Sequence, residues 1–155
     1  MKFRIVAVGR MKAGPERALY EHYAARLKPA IALSEVEEKR PLSSGELKAR
    51  EASLLLASLD EMKGKRAVVV LDERGKALDS RAFAERLRRF EEDGAGEIAF
   101  LIGGADGHGD AVLARADLKL SLGAMTWPHL MVRAMLAEQL YRAQQILAGH
   151  PYHRD

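Results

Sequence analysis

The sequence predicts an α/β sandwich: a mostly parallel sheet with helices on both faces. Three observations lead there. Apolar runs alternate with helix-patterned segments along the whole chain. Two of the runs, AVVVL and EIAFLI, are continuously apolar, as in strands covered on both sides. Three runs end in turns of glycine or other small residues, and sheets of this kind place their ligands at the carboxyl ends of strands.

Each element has its own local signal. KFRIVAVG is rich in β-branched and aromatic residues, ends at Gly9 and reads as a strand. Pro15 opens PERALYEHYAARLK, where Leu19, Tyr20, Tyr23 and Leu27 recur at helical spacing. IALSEVEE is a weaker strand before a polar loop. Ser43 and Glu46 have capping-box spacing and open a helix carrying Leu47, Leu54, Leu55 and Leu59. AVVVLDERG is a central strand that charges and Gly75 should stop. Asp79 and Ser80 cap a helix bearing Phe83, Leu87 and Phe90. EIAFLIGGADG is a buried strand running into a glycine turn. A short helix through Val112 and Leu113 leads to LKLSLGAMTWP. Pro128 then suits the first turn of a last helix, with Val132, Met135, Leu136, Gln139, Leu140, Ala143 and Leu147 on one face.

Composition narrows the class. A length of 155 residues with 48% apolar and 30% charged residues suits a single domain over residues 1–155. No stretch reaches the ~20 apolar residues of a membrane span. The start lacks the apolar core and cleavage site of a signal peptide, so a cytoplasmic protein is expected. With no cysteine, disulfides and thiolate metal sites are excluded. The 25 basic residues nearly balance 22 acidic ones, leaving a net charge of +3. That charge suits a nucleic-acid partner without requiring one.

Three stretches carry the chemistry. In LIGGADGHGD the glycine order is G-G-x-x-G-x-G, not the dinucleotide fingerprint, and no Walker lysine follows. Asp106 and Asp110 would repel a phosphate, so the turn serves another ligand or only a chain reversal. The segment from Leu122 to Trp127 has free backbone groups in small-residue surroundings, suited to gripping a neutral heteroaromatic ring. Met125 and Trp127 taken singly fit a core equally well. Glu138 and Arg142 have the spacing of an intrahelical ion pair. Finally, Gly149 ends the helix and HPYHRD follows. Tyr152 can stack on a base, His153 titrates near neutrality and Arg154 can fork onto phosphate. The tail is thus an RNA-contacting element or a segment docked on the surface. Its two histidines lack a third ligand, so no metal is expected.

KFRIVAVG, VVLDERGK, FLIGG, LSLGAMTWPH-xx-VR-xx-LAEQLYRA and the terminal HPYHR together resemble the RlmH (YbeA) family end to end. These are small SPOUT-class methyltransferases of bacterial large-subunit ribosomal RNA. The chain departs from the family pattern at Ala105, Asp106, His108 and Leu130. The resemblance implies a SPOUT-type (alpha/beta-knot) sandwich whose C-terminal third forms a trefoil knot. It implies S-adenosyl-L-methionine held by Leu71, Gly103, Gly104 and the loop of Leu122, Gly123, Ala124, Met125, Thr126, Trp127 and Pro128. It further implies a homodimer in which the tail (149–155) of one subunit reaches the other's cofactor site. The implied substrate is a pseudouridine in helix 69 of 23S rRNA, methylated at N3 in the assembled 70S ribosome.

On that reading His129, Arg133, Arg142, Tyr152 and Arg154 contact the substrate, and Glu138 orients Arg142. His153 accepts the imide proton or Arg154 stabilises the resulting anion. Two other classes compete. A dinucleotide-dependent oxidoreductase conflicts with the glycine order GGADGHG. A non-catalytic ribosome-associated module leaves the small-residue loops unexplained.

Overall fold

The computed structural model describes residues 1–155. Five strands and five helices alternate: β1 (Lys2–Val8), α1 (Pro15–Ala24), β2 (Ala32–Val36), α2 (Ser44–Asp60), β3 (Arg66–Ala77), α3 (Ser80–Glu92), β4 (Glu97–Ile102), α4 (Asp110–Arg115), β5 (Leu118–Ser121) and α5 (His129–Leu147). The strands form one parallel sheet in the order β2-β1-β4-β3-β5. This order is compatible with the knotted C-terminal third that the family resemblance implies.

The sheet is covered on both faces, which explains the continuous apolar runs. Side chains alternate across each strand. Phe3, Ile5 and Ala7 of β1, Val69 of β3 and Ile98 and Phe100 of β4 face the larger core with α1, α3 and α5. Val6, Val8, Val68, Val70, Ala99 and Leu101 face the smaller core with α2 and α4. Every β-to-α connection consequently leaves the sheet along one edge, the carboxyl edge.

Local signals are realised at the expected helix ends. The Ser43 hydroxyl accepts from the Glu46 N–H at 3.3 Å and donates to its carboxylate at 2.8 Å. Asp79 accepts from the Ala82 N–H at 2.8 Å, while Ser80 instead donates to Gln139 across the α3–α5 contact at 2.8 Å. Pro128 is the residue before α5 rather than its first turn. The buried face of α5 is also rotated from the expected one. Arg133, Ala134 and Ala137 join Leu136, Leu140 and Ala143 inside, while Leu147 is exposed.

One strand is longer than its sequence suggests. β3 does not stop at its charges but continues to Ala77, with a register shift against β5 between Leu71 and Lys76. Gly75 makes this continuation possible. A Cβ there would lie 2.6 Å from the Lys119 carbonyl group and 2.9 Å from the Leu120 nitrogen. These atoms form one peptide of the paired strand, which cannot yield as a flexible side chain would.

Gly75→Ala should therefore destabilise the protein by about 2 kcal/mol, the usual scale of overpacking against unyielding neighbours. Gly45→Ala, where a Cβ meets nothing within 4 Å, should leave stability unchanged or raise it. Urea midpoints of the two variants check the contrast.

Candidate functional site

The stretch of β3 where its register shifts, the ends of β4 and β5 and the start of α5 enclose a cleft of about 840 Å³. That size is typical of a small-molecule site. Of the residues expected to hold a cofactor, Leu71, Gly103, Gly104, Leu122, Gly123, Met125, Thr126, Trp127 and Pro128 all line it; Ala124 alone does not. His129, the first residue of α5, lines it too.

The loop between β5 and α5 is shaped by its own bonds. The Ser121 hydroxyl accepts from the Gly123 N–H at 3.1 Å, and Gly123 adopts φ +116°, which only glycine takes without strain. The Trp127 indole N–H donates to the Leu122 carbonyl at 3.3 Å, closing the loop. The Thr126 hydroxyl donates to the Glu73 carboxylate at 3.1 Å, tying it to β3. Met125 at the tip is 74% exposed and Trp127 is 38% exposed, so neither is a core residue.

On the opposite wall, two buried titratable side chains press on the glycine turn. A Cβ at Gly103 would lie 3.2 Å from the His108 ring, and one at Gly104 would lie 3.3 Å from the Glu51 carboxylate. Burial lowers the His108 pKa against the pull of Asp72, so the ring is neutral. The backbone of Leu101 and Leu71 lies close to it, but neither ring nitrogen has an aligned hydrogen-bond partner. Burial, then the nearby Asp106, raises the Glu51 pKa. Burial, then the Arg133 cation, lowers that of His129. Lys48, Asp72, Glu73, Arg74 and Asp106 complete the wall. Sequence reasoning missed these as site residues. Only Asp72, Glu73 and Arg74 carried a signal, their place directly after a buried strand.

The tail forms a second cluster. Gly149, at φ +72°, turns the chain back along α5. The Glu138 carboxylate accepts from Arg142 Nε (3.0 Å) and Nη2 (2.6 Å) and from the Tyr152 hydroxyl (3.1 Å). The Arg142 guanidinium lies 4.8 Å from the Tyr152 ring centroid. Burial, then Glu138, raises the Tyr152 pKa, consistent with a phenol that donates. Arg142 Nη1 lies 3.1 Å from His153 Nδ1, and His153 Nε2 lies 3.2 Å from Asp155. A guanidinium only donates, so Nδ1 accepts and the ring proton sits on Nε2. Arg81 holds Asp155 at 2.6 and 2.9 Å. The tail is thus docked and ordered, with Arg154 exposed and unpaired. None of Glu138, Arg142, Tyr152, His153 and Arg154 lines the cleft.

Arg133 corrects an expectation. The family resemblance places it on the substrate, but it is fully buried. Its Nη1 bonds Glu35 at 2.5 Å, and its Nη2 donates to the carbonyls of Val8 (3.1 Å) and Gly9 (2.8 Å). Burial pushes the Glu35 carboxyl up, but the Met11 N–H and Arg133 outweigh it and hold it below the ordinary range. Arg133 therefore fastens α5 to the ends of β1 and β2 instead of meeting substrate. No group of three or more His, Asp or Glu side chains converges as metal ligands, and no helix is long and apolar enough to cross a membrane.

A glycine turn, a self-bonded loop and a strand of a parallel sheet meet at one cleft, as in the small-molecule sites of α/β proteins. The family model described as "Predicted SPOUT methyltransferase" matches residues 1–153, and the chain belongs to that family. It is 61% identical over 154 residues to "Ribosomal RNA large subunit methyltransferase H" of Paramagnetospirillum magneticum, covering 99% of both chains. It is 56% identical to the protein of the same description from Rhodospirillum rubrum, covering all of both. Among solved structures, a probable methylase family protein from Haemophilus influenzae superposes with TM-score 0.62 at 14% identity, over 99% of this chain and 70% of that one. The SpoU methyltransferase AviRb from Streptomyces viridochromogenes, solved with AdoMet, gives 0.51 at 16% identity, over 94% and 58%. At such identities these structures bear on the fold alone.

Arg133→Leu should cost about 3 kcal/mol, because Glu35 and two carbonyls lose their donor. Glu35 titrates below its usual 4.5 when folded. Its stabilisation is therefore complete above that pH and is lost as pH falls below it. Denaturation at pH 7 and pH 3 should show the variant losing less between the two than the parent does.

Proposed function

We propose that this chain methylates bacterial large-subunit rRNA with S-adenosylmethionine, in the cytoplasm, as a homodimer whose sites are shared between subunits. The finer substrate is a pseudouridine of helix 69 in 23S rRNA, modified at N3 in the assembled 70S ribosome. The end-to-end relatedness to proteins described as rRNA methyltransferases supports the reaction. AviRb was solved with AdoMet, and the cleft here suits that cofactor. Free main-chain groups among small residues suit a neutral adenine. Asp72, Glu73 and Asp106 outnumber Lys48 and Arg74 on the wall, which suits a sulfonium and opposes a polyphosphate. The same acid excess disfavours a dinucleotide.

The observation that carries the composite site is the geometry of α5. Its first residue, His129, faces the cleft, while the tail packs around Glu138 and Arg142. At ~1.5 Å per residue these lie roughly 14 and 20 Å further along the axis, and ~100° per residue puts Glu138 on the opposite side of the helix. Displacement at a methyl carbon needs the reacting atoms at about 3–3.5 Å. None of the tail residues lines the chain's own cleft, and on this reading the tail of a second copy completes it. A hollow of about 890 Å³ runs from Leu122 and Gly123 of the loop to His153 and Arg154 of the tail, over Leu19, Phe83 and Met135. We assign it to that contact.

The bound cofactor supplies an activated methyl group on sulfur. The chain's residues must align the nucleophile, exclude water and manage one imide proton. Tyr152 packs on the base, and Arg142, held by Glu138, offsets negative charge. His153 accepts the proton through Nδ1 once Arg142 turns from it to the substrate, or Arg154 stabilises the anion. His129 contacts the base as a neutral ring.

Mapping the nucleotide labelled by radioactive S-adenosylmethionine on ribosomes lacking the modification tests the function. A methyl group on any other RNA, or none, overturns it. Removing residues 151–155 should spare folding and calorimetric cofactor binding yet abolish methylation. Mixing that truncated protein with a full-length chain blocked at the cleft by Gly104→Val should restore activity, because mixed dimers contain one intact pair of halves. His153→Ala should slow single turnover by about 10²–10⁴-fold; a change within twofold excludes His153 as base.

A further inference from the structure

We propose that the lip formed by residues 10–12 and 37–50 is the surface on which the RNA phosphate backbone docks, holding the target nucleotide over the cleft beside it. The proposal rests on the rRNA reading above and adds a location to it.

The first support is where the charge lies. The chain's whole net charge of +3 resides in these two short segments. They carry six basic residues (Arg10, Lys12, Lys39, Arg40, Lys48, Arg50) and three acidic ones (Glu37, Glu38, Glu46), and the remaining nineteen of each sign balance. The segments are neighbours in space. Val8 pairs with Val36 at the ends of β1 and β2, the Gly9 N–H donates to the Val36 carbonyl at 2.8 Å, and Arg50 of α2 reaches Glu38 at 2.9 Å.

The second support is how the charge is held. Several exposed arginines elsewhere each have a carboxylate partner: Arg17 has Glu21, Arg88 has Glu85 and Glu92, and Arg81 has Asp155. On the lip Arg40 and Arg50 share the single carboxylate of Glu38, each at 2.9 Å. Bonds from Arg40 and then Arg50 hold the Glu38 pKa down to about 2, so the clamp stays one carboxylate between two guanidiniums, with one positive charge in excess, at any physiological pH. Arg10 stands 4.0 Å from Glu37, and Lys12, Lys39 and Lys48 form no ion pair.

The third support is position. Lys48 belongs to both the lip and the cleft wall. On the other side, a Cβ at Gly9 would lie 3.7 Å from His129 Nε2. The wall beneath is acidic, so a phosphate is drawn to the lip and turned away from the cleft, while an uncharged base can enter. Long, loosely paired cations bind a polyanion by releasing its counterions, which gives each contact a measurable salt dependence.

The test uses the full chain with unmodified ribosomes. Lys12→Ala combined with Lys39→Ala removes two exposed cations, neither of which lines the cleft. Ribosome affinity should fall about tenfold or more, and the slope of log affinity against log salt should shrink by about 1.5–2. Calorimetric S-adenosylmethionine affinity should stay at the parent value. Lys2→Ala with Lys63→Ala, at the opposite end of the sheet, should leave the slope unchanged. An unaltered slope in the lip variant, or an equal loss in the control, overturns the proposal. If the parent protein itself neither binds nor methylates ribosomes, the rRNA reading fails first and takes the lip with it.

Discussion

The bond from Arg133 to Glu35 and to the carbonyls of Val8 and Gly9 is the interaction on which the rest of the site depends. A guanidinium with no exposed surface is costly to bury unless nearly all its donors are met. Here three acceptors from two strands meet it, and only Nε lacks a partner. The arrangement fixes both the axial position and the rotation of α5 against the sheet. His129 is placed one turn earlier on the same side of the helix, and Glu138 is placed on the far side. Sliding the helix by one residue would turn both by about 100° and dismantle the cleft and the tail cluster together.

The fixed helix carries the cleft at its first residue and the tail cluster further along, at Glu138 and Arg142. The tail doubles back but stops at Glu138 and Arg142, where an arginine, a tyrosine, a histidine and two carboxylates satisfy one another. Such a cluster is satisfied within itself and does not line the cleft. In the proposed dimer, exchange between two copies would bring a tail to each cleft and make assembly a requirement for activity. The bonds that dock the tail hold Arg142 against His153 and Tyr152.

Much of this was legible in the sequence, and the exceptions have physical reasons. The strands could be read because alternation onto two buried faces leaves continuous apolar runs. The loop from Leu122 to Pro128 could be read because small residues between a strand and a helix announce free backbone. The end of β3 could not: Asp72 to Lys76 are charged or glycine, and only the approach of the β5 backbone reveals why the strand continues through Gly75. Arg133 misled for a related reason. An arginine near a helix start suggests an anion, and only the tertiary fold brings Glu35 and two carbonyls to it. Lys48, Glu51 and Asp106 reach the cleft region from segments far apart in sequence, where no spacing rule applies. The buried face of α5 was misread because large apolar residues were expected along it, whereas the small Ala134 and Ala137 let the helix lie close to the sheet.

The mouth of the cleft must satisfy two ligands of opposite charge. A sulfonium cofactor favours acid, whereas an RNA strand favours base, and a uniform field would repel one of them. Separation of the fields resolves the conflict. Asp72, Glu73 and Asp106 stand on the wall, and Arg10, Lys12, Lys39 and the Arg40–Arg50 pair stand on the rim. At physiological ionic strength each field decays over about 8 Å, so wall and rim act on different parts of the bound ligands. A nearly neutral chain can therefore bind a polyanion without attracting every nucleic acid it meets. Its few unbalanced cations are effective only when the rest of the surface fits.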